Sequence, residues 1–148
     1  MKTMNAIIIL FSLLAVFGCS KETEPIEYGK DQCAHCRMTI VDNKFGAEMV
    51  TSKGKVYKFD AAECLVNFLN TGKVPESEAE TLLVTNLESP GNFIDARSAA
   101  FLISPKLRSP MGENISAFSG RNAAEKFKEQ YTGETYDWNS LVAMFRSR

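Results

Sequence analysis

The sequence predicts an α+β fold built from two strand–strand–helix units, and three observations carry that prediction. Runs of period 2 are followed by runs of helical period in both halves of the chain. A glycine-containing turn or a long loop joins the two strands in each half. The helical runs are apolar on one face only, so each requires another layer to cover it.

In the first half, Phe45, Ala47, Met49 and Thr51 alternate with Gly46, Glu48 and Val50, the pattern of a half-buried strand with Met49 in the core. Thr51-Ser-Lys-Gly-Lys55 is a turn, and Val56 to Phe59 returns as the second strand of a hairpin. Asp60-Ala-Ala-Glu63 then opens a helix, with Asp60 as N-cap and Glu63 in a capping-box position. Capping accounts for both carboxylates without catalysis. Ala61, Leu65, Phe68 and Leu69 share one face, Gly72 and Pro75 end the helix, and Leu82 to Leu87 reads as a third strand.

The second half repeats the order. Ala99 to Ile103 and Asn114 to Ser119 read as strands around a loop over 104–112, and Gly120 leads into a helix over Arg121 to Tyr131. Asp137 caps a last short helix whose Trp138, Leu141, Val142 and Phe145 seal the body. With 148 residues the chain has room for one ordinary domain. The folded part is assigned to residues 31–148, with 31–90 as the first unit and 91–148 as the second.

The N-terminus stands outside that fold. Lys2 precedes an apolar run from Ala6 to Gly18, too short for a spanning helix, which has the layout of a secretory signal over 1–18. Val16-Phe-Gly-Cys19 resembles a bacterial lipoprotein box, which makes Cys19 the acylated first residue of the mature chain and its membrane anchor; Phe17 is bulkier than usual there. Ser20 rather than Asp follows, which points to the outer membrane over the inner. Residues 19–30 are the anchor and a polar tether, with Glu22, Glu24, Pro25 and Glu27.

Charge and motif exclude several functions. The net charge is -1, and removing Lys2 with the signal leaves 16 basic against 18 acidic residues, about -2. No basic run is interleaved with aromatics, so nucleic acid is not expected as a partner. The single His35 rules out a Ser-His-Asp or HExxH site, and no glycine-rich phosphate loop occurs; the chain is not expected to be an enzyme.

The chemistry concentrates in Asp31-Gln-Cys-Ala-His-Cys-Arg-Met38. With Cys19 acylated, Cys33, Cys36 and Cys64 remain, an odd number that argues for a working thiol. Arg37 stands where c-type haem attachment needs histidine. A thiol–disulfide oxidoreductase, a structural zinc knuckle on Cys33, His35, Cys36 and Cys64, and a plain Cys33–Cys36 disulfide stay open. Met38 favours a fourth reading, a Cu(I) site. Thiolate plus thioether suits Cu(I) and suits zinc poorly, and in an extended segment Cys36 and Met38 point to the same side. Cys64, one turn into its helix, reads as an ordinary buried thiol.

Asp31-x-Cys33-x-x-Cys36-x-Met38-x-Ile40 resembles the opening signature of the NosL lipoproteins, accessory copper chaperones for nitrous oxide reductase. The resemblance continues through Lys55-Val-Tyr-Lys-Phe-Asp60, Glu63-Cys64, Phe93-Ile-Asp-Ala96, Ser109-Pro-Met-Gly112 and Ala117-Phe118. It implies two small ββαβ units in a fold related to the organomercurial lyase MerB, without lyase activity. It implies Cys36 and Met38 as Cu(I) ligands, with Cys33, His35 and Met111 as further members of the site. A second metal such as zinc, apo nitrous oxide reductase and envelope copper-assembly proteins as partners, and a periplasm-facing membrane anchor complete the expectation.

Overall fold

The structure is a computed structural model that describes residues 22–148. The signal over 1–18 and the acylated Cys19 lie outside the described residues. The elements run β1 (Ala47–Thr51), β2 (Val56–Phe59), α1 (Ala62–Asn70), a 3-10 turn (Glu76–Glu78), β3 (Ala79–Thr85), β4 (Phe93–Asp95), β5 (Ala100–Ile103), β6 (Ile115–Phe118), α2 (Arg121–Tyr131), β7 (Glu134–Asp137) and α3 (Trp138–Arg146). Two antiparallel sheets result, ordered β2-β1-β3-β4 and β6-β5-β7. In each half the first strand sits between the second and the third, with a helix in the crossover. Both halves are therefore ββαβ units of the same topology, the first extended by β4 and the second by α3.

One core serves both units. Phe59, Leu65, Leu82 and Met49 of the first pack with Phe101, Ile115, Trp138, Leu141 and Phe145 of the second. Each such side chain, fully buried, contributes on the order of 2 kcal/mol. Along β5 the side chains alternate between two cores, as strand geometry requires. Phe101 faces the shared core, while Ala100 and Leu102 face Phe118 and Ala124 beneath α2. The Leu87 N–H donates to the Ala117 carbonyl at 2.9 Å, stitching sheet to sheet. Trp138 Nε1 donates to Glu76 at 2.8 Å and ties α3 back to the first unit. Gly133 turns the chain into β7 at φ +113°, where a Cβ would sit 2.1 Å from the Ile103 carbonyl oxygen.

Several expectations change. β1 is buried on both faces, Glu48 included. The cause is the stretch read as tether: Ile26 is buried in the core, Glu24 N–H donates to Glu48 Oε1 at 3.1 Å, and Gly29 N–H donates to the Ile40 carbonyl at 2.8 Å. Gly46 leaves room for this segment, because a Cβ there would lie 2.8 Å from Ile26 Cδ1. The packed body thus takes in residues ahead of Asp31. The third strand starts earlier than read, at Ala79, and β4 and β7 were not anticipated. Asp60 does not cap α1; the N-cap is Ala61, with no side-chain bond. Among the described residues no helix is long and apolar enough to cross a membrane.

Candidate metal centre

Cys33-Ala-His-Cys36 forms a tight turn. Gln32 bridges to Thr39, the Cys33 N–H donates to the Met38 carbonyl at 2.8 Å, and the Arg37 N–H donates to the Cys33 carbonyl at 3.0 Å. Arg37 closes the turn at φ +69°, a conformation usually left to glycine. β2 holds the turn in place: Ala34 N–H donates to the Lys58 carbonyl at 2.8 Å, and Lys58 Nζ donates to Asp31 at 2.8 Å. That hydrogen bond keeps the Asp31 carboxyl below its usual range.

The first turn of α1 then carries Cys64 against this loop. The sulfurs of Cys33, Cys36 and Cys64 all lie within 4.8 Å of one another, a group that could hold a metal ion. All three cysteines are free thiols; Cys33 and Cys64 are buried and Cys36 is half-buried. The cluster therefore faces solvent through one sulfur.

The three sulfurs are not alike. Cys33 is pulled down to about 4, chiefly by the hydrogen bond from Cys64, against the opposing effect of burial and with help from the N–H groups of Asp60, Cys36 and His35. The bond from Cys36 N–H to Cys33 Sγ measures 3.5 Å. Cys64 is pushed up, first by that same shared hydrogen and then by burial. Burial likewise raises Cys36, with a smaller effect from the Cys33 charge. One thiolate and two thiols share the site. In a CxxC oxidoreductase the attacking thiolate must be accessible; here the thiolate is the buried Cys33, and the accessible Cys36 is held protonated. The arrangement suits a soft cation better than disulfide exchange.

Two carboxylic acids stand behind the cluster. Asp60 and Glu63 are buried, each with one oxygen lacking a partner, and burial raises both above the usual carboxylate range. The Ser109 hydroxyl donates to Glu63 Oε1, and Asn114 N–H donates to Ser109 Oγ at 2.8 Å. The loop carrying Met111 is thereby fastened beside Cys64.

The residues expected from sequence are placed as follows. Cys33 and Cys36 are in the cluster. Met38 is 54% exposed, and its position follows a turn rather than a strand, so the same-side argument for Cys36 and Met38 loses its premise. His35 is not part of the thiol group; it lines a neighbouring cleft with Arg37, Lys55 and Lys73. Met111, 38% exposed, lines a separate surface cleft with Pro105, Arg108 and Pro110. Cys64 joins the cluster instead of standing as an isolated buried thiol. Its signal in the sequence was the odd cysteine count.

The curated proteins offer no match to this chain. Among solved structures, the crystal structure of the copper chaperone NosL from Shewanella denitrificans is similar, at 28% identity and a TM-score of 0.69. The match covers 80% of this chain and 94% of that one. The family model described as NosL matches residues 26–144, a span that begins at the buried Ile26 and takes in both ββαβ units. The chain belongs to the NosL family.

Proposed function

We propose that this protein is a Cu(I) carrier of the bacterial cell envelope, not an enzyme, and that its cargo sits among Cys33, Cys36 and Cys64. The observation that carries this reading is the group of three free sulfurs within 4.8 Å, open to solvent only at Cys36. Cys33 receives the metal as a preformed thiolate. Each further sulfur that binds gives up a proton, so two-thiolate binding releases one proton and three-thiolate binding two. Met38, at the solvent edge of the turn, offers a thioether as the capture and exchange ligand. An incoming soft ligand then attacks the under-coordinated ion, and Cys36 leaves last. Kinship with a named copper chaperone supports this reading. Delivery to apo nitrous oxide reductase, for its copper–sulfide centre, is the extension that family membership supports. Cys19 supplies the lipid anchor, on the outer membrane by the Ser20 criterion.

The test is a Cu(I) titration of reduced protein, from residue 20 onward, against a competing chelator. Tight one-to-one binding, weakened about tenfold or more in Cys36→Ser and less in Met38→Leu, is expected. Stoichiometric zinc in the protein as purified, or equal binding by Cys36→Ser, would overturn it. Cys19→Ala should release the protein from membranes.

A further inference from the structure

A second feature lies against the cysteine turn. A cleft of about 460 Å³ is lined by Ala34, His35, Arg37, Lys55, Tyr57 and Lys73, with Phe68, Thr71 and Val74 completing it, and no carboxylate lines it. Lys58, on the same strand as Tyr57, shows the ordinary arrangement: its ammonium meets Asp31 at 2.8 Å and Glu24 at 3.5 Å. In the cleft, by contrast, the Lys55 ammonium rests 4.5 Å over the Tyr57 ring, a contact that leaves its charge available. Arg37 and Lys73 are exposed. Arg37 also occupies a left-handed backbone position, where glycine would cost less. Three cations around an aromatic wall concentrate positive potential at one place on a nearly neutral molecule.

We propose that this cleft docks an acidic segment of a partner protein. On the carrier reading above, on which this role rests, the partner is one that exchanges metal with the thiols. Charge complementarity selects the occupant: glutamates and aspartates pair with Arg37, Lys55 and Lys73, and apolar flanking atoms lie on Tyr57 and Phe68. The position selects the purpose. Ala34, His35 and Arg37 form the cleft wall and also belong to the turn that carries Cys33 and Cys36, so a docked segment brings its protein up to the half-exposed sulfur.

The probe is a fluorescein-labelled hexaglutamate peptide, added at low salt to metal-free protein from residue 20 onward. Binding is read by anisotropy and located by 1H–15N NMR. The expected result is binding with shifts confined to residues 34–37, 55–57 and 71–74. Affinity should fall about tenfold or more in the double variant Lys55→Glu/Lys73→Glu, and change less than about twofold in the equally charged surface control Lys106→Glu/Lys126→Glu. Equal loss in both double variants, shifts elsewhere, or equal binding of hexaglutamine would overturn the proposal. So would equal competition by inorganic phosphate at matched charge, which would make the cleft a general anion pocket. A Cu(I) titration of Lys55→Glu/Lys73→Glu separates the two readings. Retained Cu(I) binding with lost peptide binding supports docking. Wild-type protein that takes the peptide but not Cu(I) sinks the carrier reading and leaves the cleft standing.

Discussion

The starts of α1 and α3 carry the same cue, an aspartate just before the helix, and use it in opposite ways. At α3, Asp137 is exposed, accepts the Ser140 N–H at 2.8 Å, and donates its own N–H to Ser140 Oγ at 3.1 Å. At α1, Asp60 is buried, caps nothing, and its backbone N–H helps to hold the Cys33 thiol low. The charges diverge accordingly. Hydrogen bonds from Ser140 hold Asp137 below the usual carboxylate range, whereas burial holds Asp60 and Glu63 above it. One helix start is used for stability. The other gives up that stability to shape a sulfur site.

The largest break in this contrast should come from Cys64→Ala. If α1 is the site's third wall, Cu(I) affinity falls about 100-fold, and the Cys33 thiol rises from its low value because its strongest donor is removed; competitive titration and the pH dependence of thiolate absorbance check both. An unchanged affinity would return Cys64 to the role of core filler. A smaller effect separates the two aspartates. Asp137→Ala should cost about 1 kcal/mol through the lost cap. Asp60→Ala should cost no capping energy, so its urea midpoint falls less. The smallest effect lies in the pH profile. Glu63 is raised, so its contribution to stability is complete below the unfolded carboxylate range, about 4.3, and declines as pH rises through its folded value. Asp137 is lowered, so its contribution is present above about 3.9 and is lost as pH falls through its folded value. Glu63→Gln should flatten the alkaline side of the urea-midpoint profile, and Asp137→Asn the acid side. A swap of those two outcomes would overturn the assignment.

Much of this was legible in the residues. The bounds of α2 follow from its periodicity and Gly120, the cap of α3 follows from Asp137, and the repeat of strand–strand–helix order follows from the turns. What stayed hidden depends on tertiary packing. β7 is a polar strand whose order comes from pairing with β5 rather than from its own pattern. Glu48 and Glu63 look like surface acids until the N-terminal segment and the Ser109 loop close over them. Asp60 fitted the capping cue, yet it is buried beside the thiols and caps nothing. The turn at Arg37 carries no glycine to announce it, and so Met38 was read as extended. Cys64 meets its partners only because β2 and α1 fold it back.

The contact of Glu24 with Glu48 and Lys58 sets a leash length. Five Cα–Cα steps separate Glu24 from Cys19 and span at most about 18 Å however they are arranged. The same Lys58 holds Asp31, the first residue of the cysteine segment. On the proposed anchoring at Cys19, the thiols would stay within a short radius of the lipid headgroups, and the carrier would not diffuse through the compartment to find its donors and acceptors. They would have to come to the membrane surface, so the place of exchange would be fixed before any recognition begins.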